Sequence, residues 1–241
     1  MSIEVTKIVV HGFEEAVRGM RNSWDSWEDS DSDFTADVIF RNNGGKEIPY
    51  AVSIPVFGEK DLALMQRLNN GGSSHCKYRR IITASMDINA PLLWWKQMDT
   101  YSIGVTELSC STMHTIADKK FDISDFTSDH LSKFDTTSVF GFTSSLDTGI
   151  FMDSIIEYLN SLREGYIYYK EHNKPEIARK FKRAILDILP SCYMQKRTWF
   201  GNYEVLAKIY VERKGHKLDE WDKFREVIRT LPYAEELIIG G

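Results

Sequence analysis

Between Ile82 and Ile88 the chain alternates without a break. Ile82, Ala84, Met86 and Ile88 are apolar; Thr83, Ser85 and Asp87 are polar. That period of two predicts a strand with one buried face. Ala90-Pro91 closes it. Pro91 lacks an amide hydrogen and suits the first turn of a helix, predicted over Leu92 to Tyr101. Upstream, Val5 to Val10 reads as a short strand and Phe13 to Arg21 as a helix with Ala16, Val17 and Met20 on one side. The acidic, serine-rich run WDSWEDSDSD reads as a loop. Phe34 to Phe40 and Tyr50 to Phe57 are candidate strands, and Asn42-Asn43-Gly44-Gly45 between them tolerates the positive φ of a hairpin. A helix over Asp61 to Leu68, with Leu64, Met65 and Leu68 apolar, stops at Asn69-Asn70-Gly71-Gly72.

The second half has a helical period. Ile155, Ile156, Leu159 and Leu162 form one stripe. A second helix starts at Pro175 and ends at Leu189-Pro190. A third runs from about Asn202 to Arg213, with Leu206, Ile209 and Tyr210 inward. A fourth spans about Asp219 to Leu231, carrying Trp221, Phe224, Ile228 and Leu231, and Asp219 or Asp222 near its start suits the helix dipole. Asp118 to Gly149 is rich in Ser, Thr, Asp and Phe and reads as a long loop or excursion. The expected class is α+β: a sheet-rich first half and a helical second half sharing one core. The expected organisation is a single domain over residues 1–241 with a variable region at about 117–149.

Composition narrows function little. The chain has 241 residues, 42% hydrophobic and 27% charged, with a net charge of −5. Nothing there argues for nucleic acid or a membrane surface. Cys76, Cys110 and Cys192 are widely spaced and odd in number, so neither a zinc knuckle nor a disulfide framework is expected. The first residues, MSIEVTKIVVHGF, lack the long apolar run of a signal or spanning segment, and a cytoplasmic location is the default expectation.

Candidate chemistry gathers in APLLWWKQMDTYSIGVTELSCSTMH, Ala90 to His114. Cys110 and His114 are four apart, the spacing of two ligands on one helix face, but no second pair completes a zinc site, so no metal is expected. Cys110 as a nucleophile would want a base, and Glu107 and His114 are near in sequence. Arg79-Arg80, Lys196-Arg197 and Arg213-Lys214 are basic pairs, and a pocket drawing on them would suit a phosphate. Gly71-Gly72-Ser73-Ser74 lacks the GK[ST] of a phosphate loop and reads as a turn. Trp94-Trp95 and Trp199 read as core or interface. From the residues alone, the chain is a soluble α+β protein with a pocket for an anionic ligand.

The order of these pieces resembles the flavin-dependent thymidylate synthase family. A helix ends at Gly71-Gly72 with Ser74-His75 close behind; the strand Ile82 to Ile88 leads into Ala90-Pro91; Gln97 sits in the following helix; Glu107-Leu108-Ser109 resembles the family's Glu-x-Ser. Leu189-Pro190, Trp199, Asn202, Arg213 and Asp219-Glu220-Trp221 follow the family's second half in the same order. The resemblance implies an antiparallel sheet with long packed helices, FAD as cofactor, a pyrimidine deoxynucleotide such as dUMP as ligand, methyl transfer to it, and a homotetramer whose interface the helices bearing Trp94, Trp95 and Trp221 would suit. It assigns Gln97, Glu107, Leu108, Ser109, Cys110, Ser111, Arg213 and Lys196 or Arg197 to the substrate. It assigns Ser74, His75, Asn202 and the stretch Asp99, Thr100, Tyr101, Ser102 to the flavin. Catalytic residues are unassigned.

That stretch departs from the family. The family's Arg-His-Arg falls on Asp99-Thr100-Tyr101 or on Thr100-Tyr101-Ser102, depending on which neighbour anchors the alignment. The family's phosphate-binding Arg falls on or beside Ser111, Ser109 and Cys110 both remain candidates for its Ser, and a second Arg is replaced by Glu204. Three readings follow: a divergent flavin enzyme, a nucleotide-binding protein without flavin chemistry, or a partner-binding protein that keeps only the fold.

Overall fold

The computed structural model describes residues 3–34, 37–43, 46–52, 55–72, 74–127, 133–134 and 146–240. Strand β1 is Glu4–His11, β2 Asp37–Asn43, β3 Lys46–Val52, β4 Thr83–Pro91, β5 Thr106–Ser109, β6 Lys133–Phe134, β7 Leu146–Asp147 and β8 Met194–Asn202. The helices are α1 Phe13–Asn22, α2 Glu59–Asn70, α3 Leu92–Met98, α4 Thr112–Thr115, α5 Thr148–Glu171, α6 Pro175–Ile188, α7 Tyr203–Glu212 and α8 Asp219–Arg229. The class is α+β, with a four-stranded antiparallel sheet in the order β1-β4-β8-β5. Strand β4 keeps the predicted alternation: Ile82, Ala84, Met86 and Ile88 are all buried, and the residues between them are half-buried.

The chain divides into two compact units. The first comprises Met1–Glu4, Ile88–Thr100 and Leu108–Arg197. Its core joins Ile116, Phe121 and Phe126 to Met152, Leu159 and Ile185. The long helices α5 and α6 pack together through Tyr169, whose ring stacks on Phe181 with centroids 5.4 Å apart. Gly165 permits this, because a Cβ there would lie 2.5 Å from the Phe181 ring. Trp94 and Trp95 on α3 are fully buried.

The second unit comprises Val5–Asp87, Tyr101–Glu107 and Thr198–Gly241. In it Phe13 meets Phe57, Tyr203 and Tyr233 edge to face, and the Phe57 and Tyr233 rings are tilted by 40°. Helix α1 buries Ala16, Val17 and Met20, as its pattern predicts. Arg21 and Asp61 form an ion pair at 2.5 Å, both buried. Ser30 and Ser32 donate to the other Asp61 oxygen at 2.7 and 2.6 Å. The serine-rich loop is therefore more than a solvated excursion: it satisfies a buried carboxylate that would otherwise be costly.

Several sequence expectations shift. Helix α3 ends at Met98, not Tyr101. The Thr100 hydroxyl donates to the Gln97 carbonyl at 2.7 Å, a local bond that competes with continuing the helix. The strands around Asn42-Asn43 run closer together than predicted, with Asn43 opposite Lys46, and Gly44-Gly45 lies outside the described residues. Ser73 and residues 128–132 and 135–145 of the long excursion also lie outside them. The described part of that excursion holds a 3-10 turn at Ile123–Asp125, capped by Asp122, and helix α5 begins inside it at Thr148. Glu107 to Ser109 belong to strand β5. Trp199 lies on strand β8, an element not predicted from the sequence.

Candidate functional site

In the first unit, the end of α3 and strand β8 build a closed polar cluster. Asp99 accepts a hydrogen bond from Arg197 Nη1 at 2.6 Å. Arg197 Nε donates to Gln195 Oε1 at 3.0 Å, and its guanidinium lies 4.3 Å from the Trp95 ring centroid. The Trp95 indole donates to the Gln195 carbonyl at 2.9 Å. Gln195 Nε2 in turn donates to the Cys110 carbonyl at 3.2 Å, beside the Cys110 N–H to Lys196 carbonyl bond at 2.9 Å. Gln195 is thus the hub that ties the Cys110 strand to Arg197. Sequence reasoning missed it. The signal was the alternating burial period of β8, hidden among aromatics that read as a turn.

Next to this cluster lies a polar cavity of about 300 Å³, lined by Asn89, Cys110, Lys119, Asp125, Gln195 and Lys196 among others. Lys119 pairs with the buried Asp125. The Cys110 thiol is exposed and sits 3.6 Å from the Thr115 hydroxyl. Burial, with Asp125 and Cys110 nearby, raises the Tyr193 phenol above its ordinary range. Cys110 and His114 do not share a helix face, because Cys110 precedes α4. Among the described residues no cluster of His, Cys, Asp and Glu is placed to hold a metal ion.

In the second unit, Tyr101 bridges Glu212 and Arg213. Its hydroxyl donates to Glu212 at 2.9 Å and accepts from Arg213 Nε at 2.8 Å. The Arg213 guanidinium lies 4.5 Å from the Trp221 ring. Burial, then the bond to Glu212, raises the Tyr101 pKa. Glu204, the charge-reversed position, is gripped by Arg80 through bonds of 2.6 and 3.0 Å. Asn202 caps α7, accepting from the Val205 N–H at 3.0 Å. Gly104, at φ 74°, leaves room for it, because a Cβ there would lie 2.7 Å from Asn202 Nδ2. Ser74 and His75 line a separate cleft of about 420 Å³ with Gly19, Ser23, Trp24 and Lys77. Arg79 is buried, and its Nε and Nη2 have no hydrogen-bond partner among the described residues.

The residues expected at the site are distributed over both units. Of the substrate set, Cys110 reaches the polar cavity, beside Lys196. Arg197 lies behind it, held by Asp99. Leu108 and Ser109 are exposed, Glu107, Ser111 and Gln97 are half-buried, and none lines that cavity. Of the flavin set, Asp99, Tyr101 and Asn202 are committed to internal bonds, Thr100 and Ser102 are exposed, and Ser74 and His75 face the cleft. Trp94, Trp95 and Trp221, on the helices expected to suit an oligomer interface, are each 0% exposed.

No family model and no curated protein matches the sequence. Solved structures do. A flavin-dependent thymidylate synthase from Helicobacter pylori, complexed with FAD and dUMP, aligns with a TM-score of 0.58 at 18% identity, covering 99% of this chain and 98% of that one. A second structure of the Helicobacter pylori enzyme with FAD and dUMP gives a TM-score of 0.57 at 16% identity, covering 99% and 97%. At this identity the likeness is one of fold. No helix among the described residues is long and apolar enough to cross a membrane. Over nearly its whole length, this chain has the fold of the flavin-dependent thymidylate synthases.

Proposed function

We propose that the chain is a nucleotide-binding protein on the flavin-dependent thymidylate synthase fold, without that fold's hydride and methyl transfer. The observation that carries this reading is the Asp99–Arg197 pair. In one of the two registers of the resemblance a cation for the flavin falls at Asp99, and that carboxylate takes up a cation expected for the nucleotide phosphate. The same exchange recurs at Glu204 with Arg80 and at Tyr101 with Arg213. These positions have been rebuilt into internal bonds that neutralise one another. The donor set does not fit a flavin: Asp99 would repel its diphosphate, Tyr101 is an uncharged phenol there, and Asn202 is occupied as a helix cap.

The cavity beside Gln195 is the proposed binding site. Its volume of about 300 Å³ lies at the small end of the range for small-molecule sites. Lys196 brings an ammonium group for a phosphate, and the Asn89 carboxamide offers both a donor and an acceptor to a pyrimidine edge. Cys110 stands at the wall as a small, soft side chain.

The test is direct. Purified protein is incubated with excess FAD, desalted and examined by visible absorbance, then titrated with dUMP by calorimetry. The expected result is no retained flavin and saturable dUMP binding that weakens in Lys196→Ala. Retained flavin that an added reductant reduces, and that dUMP with a one-carbon donor then reoxidises, would sink the proposal in favour of the enzyme reading. Absence of both ligands would favour a partner-binding role.

A further inference from the structure

A further groove, in the second unit, shares Trp24 with the cleft of Ser74 and His75 and Arg21 with the buried ion pair. It runs between one face of α2 and the segment after α1, with a volume of about 680 Å³. The α2 wall is Lys60, Ala63, Leu64 and Arg67, the i, i+3, i+4, i+7 face of a helix. The opposite wall is Trp24, Ser26 and Asp29. Arg21 closes the floor, fixed by Asp61 and by its own bond to the Ser26 carbonyl at 3.1 Å. The walls are therefore anchored to a buried ion pair rather than to a loose loop.

The exposed chemistry is specific. Trp24 is 64% exposed, the most exposed tryptophan side chain among the large hydrophobics at this surface. Its ring carries the Arg67 guanidinium 5.8 Å from the centroid. Arg67 makes no ion pair among the described residues. Lys60 and Arg67 stand two turns apart, ~10 Å along the helix axis. Ala63 between them keeps the wall low. Asp29 is the single acid of the lining, set against two exposed cations in a protein of net charge −5.

We infer that this groove binds a planar heteroaromatic ligand bearing a sugar and phosphate groups. The ring stacks on Trp24, an arrangement that any nucleobase face allows. The phosphate groups reach Arg67 and Lys60, whose charge-assisted bonds suit phosphate oxygens. The Asp29 carboxylate accepts from a sugar hydroxyl. Each feature has a separate chemical counterpart, so a ligand lacking one of them loses a defined part of the affinity.

ADP, adenosine and inorganic pyrophosphate serve as probes, each titrated by calorimetry into the full chain at fixed salt. Expected is binding of ADP, weaker binding of adenosine and of pyrophosphate, and a fall in ADP affinity with rising salt. Trp24→Ala should weaken ADP roughly tenfold or more through lost stacking. Arg67→Ala should weaken ADP and pyrophosphate, but not adenosine. Gln66→Ala, next to the groove on α2 but outside its lining, should leave all three unchanged, and circular dichroism checks that each variant is folded. ADP binding that is insensitive to Trp24→Ala and Arg67→Ala in folded protein, or no ADP binding at all, would overturn the inference. Lys196→Ala, in the other unit, should not alter ADP binding; if it does, the ligand belongs to the cavity proposed above and this groove is not its site.

Discussion

Arg197 and Arg67 both lie over a tryptophan, yet the two regions use the same pair of residues in opposite ways. Arg197 rests on a Trp95 that is fully buried, and Asp99 and Gln195 take its guanidinium hydrogens. Arg67 rests on a Trp24 that is mostly exposed and lines an open groove with Lys60. In the first region the cation has become part of the core, where packing and paired charge stabilise the fold. In the second it remains presented to solvent, where it stabilises little and can still meet a ligand. Residue type at a position says what chemistry is possible; the partners already made decide whether any of it is left for function.

The comparison is broken or sharpened by substitution. The largest effect belongs to Arg21, the limiting case of a committed arginine. Asp61→Ala leaves it buried without its partner, and a loss of about 3–5 kcal/mol is expected by urea denaturation. Arg197→Ala comes next: it uncovers Trp95 and frees Gln195 and Asp99, and should cost about 2 kcal/mol, from lost packing as well as lost charge. Equal tolerance of Arg197→Ala and Arg67→Ala would dissolve the contrast. Asp99→Asn is a sharper probe. Asp99 is half exposed, so its removal should change stability by no more than about 1 kcal/mol. It should, however, tighten dUMP binding, because Arg197 loses its carboxylate. Arg67→Ala should be the mildest, within about 0.5 kcal/mol of the parent in stability.

A pH scan gives an independent reading of the second unit's interior. Burial pushes the Tyr78 phenol up to about 12 from an ordinary 10.0. Its hydroxyl donates to Asn69 at 2.6 Å. The folded state therefore keeps the proton that the unfolded chain gives up. Stability is intact below pH 10 and is lost as pH rises from 10 toward 12. Tyr78→Phe should flatten that alkaline loss in a denaturation series, while an unchanged slope would place the loss at another phenol.

Much of the fold was legible because burial imposes a period. The β4 alternation and the Trp221, Phe224, Ile228, Leu231 stripe of α8 are both buried as read. The order of those pieces was enough to suggest the fold that the structural likeness supports. Strand β8 was not legible, because Lys196, Arg197 and Thr198 interrupt its apolar positions and its aromatics suit a turn as well as a strand. The site was less legible still. A sequence places Asp99, Tyr101 and Glu204 in the chain, but does not show that Arg197, Arg213 and Arg80 close on them. Those pairs join positions about a hundred residues apart, a relation that only the folded chain makes visible.

The distribution of indoles described above has an optical consequence. Trp94, Trp95, Trp199 and Trp221 are sealed from water, Trp27 is half-buried, and Trp24 stands in solvent. Fluorescence from the protected four should be blue-shifted and resistant to acrylamide, and Trp24 should contribute a red, quenchable component. The chain thus carries two reporters in one signal: shielding of the quenchable fraction reports occupation of the Trp24 groove, and a red shift of the protected fraction reports loss of the fold.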